Sequence, residues 1–432
     1  MATRKKKVAR RAVIVAGRRT PFVRAFGPLM KVDTIGLGTA ATKGLIGAMN
    51  IAHRDIDGIV WGGVILPGTS PNVGREIALD LGMPACEAMT VSRACASGLQ
   101  AITLAAAAIE RGDADVMIAG GSDSTSNAEV KLPQKWVHAL APLAFGKATA
   151  ADVLGVLSQL TPLTDLIPKR PEIAERSTGQ LMGEAAEEMA ARNEISREAQ
   201  DEFTERSHHR AAAAIASGRF DAEIVPVQGD GGKWVHTDGI VRADTSLEKL
   251  ARLRPVFAKN GTLTAGNSSA LTDGGAAVLL MEEQKARALG YTPLAAFKSW
   301  SYVGVDPADQ LLMGPAIAMP RALERAGMKL SDIDIVDIHE AFAAQVLSVL
   351  KMLGSDAFAT QRLGWDAAVG TIDPERLNVH GGSLALGHPF AATGARMVTT
   401  VARELALSDK KTALLGICAA GGLGAAAVLE RV

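Results

Sequence analysis

The chain has 432 residues, 46 basic against 46 acidic side chains for a formal net charge of zero, 48% hydrophobic residues, 44 glycines and three cysteines. That length exceeds the size at which one hydrophobic core stops growing, so two or more domains are expected, and the charge balance offers nothing to nucleic acid. An odd, small cysteine count argues for a reducing, cytoplasmic setting without a disulfide framework, and no uncharged apolar run reaches the ~18 residues that predict a membrane span.

Residues 3–11, Thr-Arg-Lys-Lys-Lys-Val-Ala-Arg-Arg, are basic and precede the first apolar strand, Ala12–Ala16. They read as a solvated tail or as an arm that meets lipid or a partner, so membrane contact is at most peripheral. No apolar signal core precedes that strand, and the segment is too short for a typical transit peptide.

A helical stretch around Gly36–Ala48 leads into the strand Asp55–Trp61. A second helix is expected at Ala96–Arg111, with Leu99, Ile102, Ala106 and Ile109 on one stripe. The buried-type strand Val116–Ala119 and Gly120-Gly121 follow. From Ala128 to Pro255 the alternation is lost, and polar helical segments such as Glu184–Arg192 and Arg197–Ser217 dominate. Within this region Trp136–Pro168 is apolar, with Leu140, Leu143, Phe145, Val153, Leu154, Val156, Leu157 and Leu160. It reads as helices packed on their own domain, or as an exposed patch for a partner subunit or membrane surface.

The pattern then returns. Helix Ala316–Ala326 leads into Asp332–Ile338, and helix Phe390–Ala406 into strand Ala413–Ile417 and Gly421-Gly422. Helix then apolar strand, twice in the same order, predicts two duplicated α/β halves. Residues 1–127 and 256–292 are expected to form the first half, 128–255 an inserted loop domain, and 293–432 the second half.

Three glycine-rich turns carry chemistry: Ser92–Gly98 with Cys95, Gly381–Pro389 with His388, and Cys418–Gly424 with Cys418. Cys95 directly precedes a helix, whose N-terminal partial positive charge is expected to lower the thiol pKa. A neutral imidazole beside a thiol is the usual source of thiolate, which assigns His388 as base. Cys86 reads as core filling, and His53, His138, His208, His209 and His236 as structural. The G-x-G-x-x-G spacing of a dinucleotide loop is absent, as are zinc-ligand spacing and a phosphate loop, so no metal or resident cofactor is expected.

Along nearly its whole length the chain resembles the thiolases. Ser92–Gly98 is similar to their nucleophilic-cysteine loop, His339-Glu340-Ala341-Phe342-Ala343 to the Asn-Glu-Ala-Phe block, Gly381–Gly394 to the histidine loop and Cys418–Gly424 to the acid-cysteine loop. The resemblance implies a five-layered α-β-α-β-α core of two duplicated halves with an inserted loop domain, at least a homodimer, and coenzyme A as co-substrate. It implies cleavage of a 3-ketoacyl-CoA by CoA, or the reverse condensation. Cys95 would be the nucleophile, His388 its base and Cys418 the acid. An oxyanion hole for the enolate would use His388 and the His339 position. A second, for the tetrahedral intermediate, would use the backbone N–H groups of Cys95 and Ala420. By family position Ser269 and Asn267 would meet the pantetheine arm, Met182 and Phe342 would line it, and Arg242 would lie near the adenine. Asn267 and Ser269 have the alternative of simply building a turn.

Most thiolases carry asparagine where this chain has His339. That histidine, with Trp136–Pro168, resembles the thiolase (β) subunit of fatty-acid β-oxidation complexes, which pairs with a hydratase/dehydrogenase α subunit in an α2β2 assembly. His339 is expected to add a titrating group beside the enolate. A short-chain acetoacetyl-CoA thiolase and a catalytically silent lipid-binding member of the superfamily are the other readings. The silent member would lack one of the catalytic trio.

Overall fold

The computed structural model describes residues 10–130, 134–146, 149–159 and 174–432. They fall into two compact units: one of residues 10–127 and 175–432, the other within residues 128–174. The basic residues 3–9 lie outside the described part, as do residues 160–168 of the apolar segment and the side chains of Phe145 and Leu157. Arg10 and Arg11, at the end of the basic stretch, are tied down. Arg10 pairs with Asp115 at 2.6 Å and Arg11 with Glu430 at 2.5 Å.

In the large unit the first half comprises β1 (Ala12–Arg19), α1 (Thr34–Met49), β2 (Gly58–Gly62), α2 (Val73–Asp80), β3 (Glu87–Val91), α3 (Ser97–Arg111), β4 (Val116–Ser124) and, after a long excursion, β5 (Thr272–Glu282). The second half comprises β6 (Ala295–Gly304), α8 (Gly314–Ala326), β7 (Ile335–Ile338), α9 (Ala343–Leu353), α10 (Ala391–Leu407), β8 (Thr412–Ala419) and β9 (Leu423–Arg431). The excursion carries α6 (Met182–Arg192) and α7 (Arg197–Ala216). The smaller unit holds α4 (Gln134–Phe145) and α5 (Ala150–Gln159), packed on each other. Val137, Val153 and Leu154 are exposed there, while Trp136 and Val156 are buried.

The pairing order shows the duplication directly. The strands run β7-β8-β9-β6-β1-β5-β4-β2-β3. In the first half β2 lies parallel to β4, and β4 and β1 both run antiparallel to β5. In the second half β7 lies parallel to β8, and β8 and β6 both run antiparallel to β9. The halves meet where β1 pairs β6 through Val13↔Ala296 and Ile14↔Ala295.

The layers follow from where each strand's two faces are buried. β4 and β8 are buried along almost their whole length, as expected of strands covered on both sides. One core cluster joins α3 and α10 to the inner faces of both half-sheets; Leu99, Ile102, Ala106 and Ile109 of the predicted stripe all lie in it, fully buried. A second lies between the first half-sheet and α1 and α2, and a third involves α8, α9 and α6 on the far side. The result is the five-layered α-β-α-β-α arrangement.

The central layer requires glycine. A Cβ on Gly98 would sit 2.3 Å from the Ala391 carbonyl oxygen, and one on Gly394 would sit 2.6 Å from the Leu99 nitrogen. α3 and α10 therefore touch backbone to backbone at their N-terminal ends. Gly98→Ala should destabilise the fold by about 1–3 kcal/mol, the usual cost of overpacking a dense core. Gly47→Ala, at an exposed site of α1 with nothing within 4 Å of the added carbon, should be neutral or stabilising. Denaturant midpoints of the two variants against wild type check the contrast.

Candidate active site

Cys95 lies in the turn that enters α3. Ser97 closes that turn, its Oγ accepting from Arg93 N at 2.7 Å and donating to Ala94 O at 2.6 Å. Ala94 takes φ 45°, a left-handed conformation that a residue with a Cβ adopts at a cost of about 1–2 kcal/mol. Among the described residues no side chain caps α3, and the Ala96 and Ser97 N–H groups instead donate within the turn, to Arg93 O at 3.1 Å and Ala94 O at 3.0 Å. The backbone N–H groups of Cys95 and of Ala420, in the turn after β8, are directed at the Cys95 sulfur.

His388 enters the same space from the turn before α10. Its backbone N donates to Thr272 Oγ1 at 3.1 Å, and its Nδ1 lies 2.6 Å from Thr393 Oγ1. Phe390, between His388 and the helix, holds φ 24°. His339 follows β7, its N donating to Gly416 O at 2.8 Å and its Nδ1 lying 3.0 Å from Ser383 Oγ. The two imidazole centroids are 4.1 Å apart. Cys418, near the end of β8 and paired with Gly424, is 1% exposed and close enough to Cys95 for the two thiols to feel one another. Thus Cys95, His388, His339, Cys418 and Ala420, scattered in sequence, converge.

The electrostatics differ from the sequence expectation in two places. Burial pushes the Cys95 thiol up to about 12, with the Asp123 carboxylate adding to the rise and the Ala420 N–H only partly opposing it. A helix terminus contributes at most about 2 kcal/mol, roughly 1.5 pKa units, whereas deep burial moves a group by about 3–5 units. Only part of the Cys95 surface meets solvent, so burial wins. The second correction concerns His339. Burial, then the neighbouring His388 and Arg396, hold it well below the usual histidine range. It is neutral at physiological pH and is not a titrating group there. Burial and Arg396 likewise lower His388 to about 3, and burial and Cys95 raise Cys418 well above the usual thiol range.

The residues expected to meet coenzyme A divide. Ser269 lies on a segment that bridges to Phe342 at Ser268 and to His388 at Leu271, which sets it at the rim of the site. Phe342 is buried with Phe257 edge-on at 5.9 Å, and Met182 packs on the same cluster. Asn267 faces inward: its Oδ1 accepts from Thr264 N at 2.7 Å and its Nδ2 donates to Asp201 and Thr262. Its amide builds the turn through Thr264 and Thr262 and ties it to α7 through Asp201, which supports the turn-building alternative for Asn267. Arg242 is exposed, its backbone N donating to His208 Nδ1 at 3.1 Å.

Four residues that shape the site escaped the sequence reading. Asp123, which burial pushes up to about 7, accepts N–H groups from Val64, Ile65 and Ala391 at 2.6–2.9 Å. Ser383 and Thr393 hold the imidazoles. The buried Glu340 accepts from Ser207, Asn378 and Leu384 N, tying the His339 strand end to the Gly381–Gly394 loop. Glu340, Ser383 and Thr393 lay inside quoted motifs, but only contact partners reveal their work.

A duplicated α/β body with a thiol, two neutral imidazoles and backbone donors at the junction of its halves defines an acyltransferase class. Residues 12–284 match the family model described as thiolase, N-terminal domain, and residues 291–431 the one described as thiolase, C-terminal domain. The chain is 44% identical over 423 residues, 97% of each chain, to a 3-ketoacyl-CoA thiolase of Colwellia psychrerythraea. Among solved structures it is similar to a Bacillus anthracis acetyl-CoA acetyltransferase (TM-score 0.82, 32% identity, 98% of this chain and 99% of that one). It is also similar to human mitochondrial 3-ketoacyl-CoA thiolase in complex with CoA (TM-score 0.81, 29% identity, 98% of each chain). The chain belongs to the thiolase family.

Two outcomes check the electrostatics. Alkylation of Cys95 by iodoacetamide should accelerate about tenfold per pH unit through neutral and mildly alkaline pH, because a thiol with its pKa near 12 is far from ionised there. A rate independent of pH would reveal a pre-formed thiolate. His339→Asn should lower turnover yet leave the shape of the pH–rate profile unchanged at neutral and alkaline pH, since a histidine held well below its usual range is already neutral there.

Proposed function

We propose that the chain is a 3-ketoacyl-CoA thiolase, cleaving its substrate with CoA to acetyl-CoA and a shortened acyl-CoA. The observation that carries this is one thiol facing two kinds of donor: the Cys95 and Ala420 N–H groups on one side, the His388 and His339 rings on the other.

The roles follow from protonation states. Cys95 rests as a thiol and His388 as a neutral base. Each pKa unit between them disfavours a free ion pair by about 1.4 kcal/mol, so the proton moves as the substrate carbonyl arrives and not before. His388 Nε2 takes the proton while Cys95 Sγ bonds to the 3-keto carbon, and the carbonyl oxygen gathers negative charge at the N–H groups of Cys95 and Ala420. Each such donor is typically worth about 3 kcal/mol of barrier. Collapse of this intermediate breaks the C2–C3 bond. The acyl group stays on Cys95, and acetyl-CoA leaves as an enolate whose oxygen faces His388 and His339. Cys418, held protonated by its surroundings, gives its proton to the enolate carbon and then accepts one from the incoming CoA thiol; the CoA sulfur takes the acyl group as the Cys95–acyl bond breaks, and His388 returns its proton to the Cys95 sulfur. CoA is consumed as co-substrate.

The pantetheine arm is assigned to Ser269, Met182 and Phe342, and the adenine end to Arg242. A homodimer is supported by β3, which ends the sheet with its outer edge unpaired among the described residues and with Met89 40% exposed. Service in fatty-acid β-oxidation beside a hydratase/dehydrogenase subunit is supported by His339 and by the exposed Val137, Val153 and Leu154. A reducing, cytoplasmic setting is supported by three free cysteines, two of which must stay thiols to work. No helix among the described residues is long and apolar enough to cross a membrane.

CoA-dependent cleavage of 3-ketoacyl-CoA substrates of four and sixteen carbons tests the reading. Wild type should cleave the long substrate, Cys95→Ser should abolish turnover, and Cys418→Ser should lower it by about 10²–10⁴. Activity confined to the four-carbon substrate would favour a short-chain acetyltransferase. Cleavage that survives Cys95→Ser would remove the nucleophile assignment.

A further inference from the structure

The two imidazoles share a geometry that the acyl chemistry alone does not require. Each has its Nδ1 against a hydroxyl, His339 against Ser383 and His388 against Thr393. In the tautomer with the ring proton on Nδ1, donated to that hydroxyl, each Nε2 presents a lone pair. For His339 this is the opposite tautomer from the Nε2–H form that faces the enolate oxygen, so metal binding and enolate binding exclude one another. Both rings are buried, 0% and 6% exposed, and among the described residues neither Nε2 has a hydrogen-bond partner. One ligating atom from each of Cys95, His339 and His388 lies within 4.8 Å of the other two.

Anchoring the far nitrogen of an imidazole is how proteins orient metal-binding histidines and fix their tautomer. One thiolate and two imidazole nitrogens form a donor set of the borderline-soft kind that suits zinc, and three protein ligands with water in the fourth position make a complete site. No sequence signal marks it, because residues 95, 339 and 388 lack the close spacing of a zinc motif.

We propose that Cys95, His339 and His388 form a reversible binding site for a thiophilic divalent cation, with zinc the best fit, that blocks the thiol while it is occupied. Binding replaces the thiol proton: the Cys95 S–H bond breaks, a sulfur–metal bond forms, and one proton leaves to solvent with no change of oxidation state. A tetrahedral zinc ion sets neighbouring donors about 3.3–3.6 Å apart, so the cluster must contract by about 1 Å. The partly exposed Cys95 side chain can make its part of that movement, and the two rings, 4.1 Å apart at their centroids, must turn about their hydroxyl anchors to aim both Nε2 atoms at one ion. The charges around the site offset one another: Asp123 lies by the thiol, and Arg396, paired with Asp337 at 3.5 Å, lies by the rings. The site stands on this geometry alone and does not depend on which acyl substrate the enzyme takes.

The test is titration of the chelator-free full chain with Co2+, then displacement by Zn2+. One equivalent of Co2+ should produce a thiolate-to-cobalt charge-transfer band that Zn2+ removes and that Cys95→Ser lacks. Zn2+ should also slow alkylation of Cys95 by iodoacetamide. His339→Asn should weaken Zn2+ binding by at least about tenfold, since losing a ligand costs no less than losing its outer-sphere support. Ser383→Ala leaves all three donors in place and should weaken it by about 10–100-fold, which keeps the test readable if His339→Asn fails to fold. A missing band, a band that persists in Cys95→Ser, or unchanged Zn2+ affinity in the folded His339→Asn and Ser383→Ala variants would each overturn the proposal.

Discussion

The site depends on how closely α3 and α10 approach. Their N-terminal turns meet backbone to backbone, with no room for a Cβ on Gly98 or Gly394. That contact draws together the two turns that precede the helices, one with Cys95 and one with His388. It also explains why backbone strain collects here. Ala94 and Phe390, each just ahead of its helix, hold positive φ values of 45° and 24°. Such conformations persist only where the surroundings over-determine them. Two helices locked into one dense central layer, nearly every inward residue fully buried, provide that constraint.

The same close packing decides the electrostatics. A centre this enclosed strips water from every titratable group, so the thiols are pushed up and the imidazoles down, and the resting site is uncharged. Fixed dipoles remain: the N–H groups of Cys95 and Ala420, and the uncapped start of α3. Such dipoles act weakly on a neutral thiol and strongly on an oxyanion, which is the differential binding that lowers a barrier without filling the ground state. Nucleophilicity is therefore produced by the substrate's arrival and is not stored in the free enzyme.

Much of this was legible in the chain. The repeated helix–strand order exposed the duplication, because each unit keeps its own hydrophobic period whatever surrounds it. The three glycine-rich turns exposed Cys95, His388 and Cys418, because a tight turn with small neighbours leaves a local mark. Ionisation was not legible. The same local reading that placed Cys95 at a helix start assigned it a lowered pKa, since the helix is visible in sequence and the burial around it is not. Asp123 was invisible for a related reason: its partner Ala391 is 268 residues away. Asn267 illustrates the converse, a polar residue in a plausible motif whose amide is engaged by its own turn and by Asp201 of α7.

The duplication also explains how one centre arises from two copies of one architecture. Cys95 precedes α3 and His388 precedes α10, equivalent helices of the two halves, so nucleophile and base occupy corresponding places in the repeat. The ends of the corresponding strands β4 and β8 have diverged in the same economical way. Near the end of β4, Asp123 holds the Ala391 N–H at the start of α10 at 2.8 Å with its carboxylate. Near the end of β8 stands Cys418, offering a proton, and in the turn just after it Ala420, with a backbone donor aimed at Cys95. Each half thus supplies a helix-start side chain for the chemistry and a strand end that supports the other half's contribution. Neither half alone can assemble the site. Selection on the reaction is therefore selection on the glycine contact that keeps the halves in register.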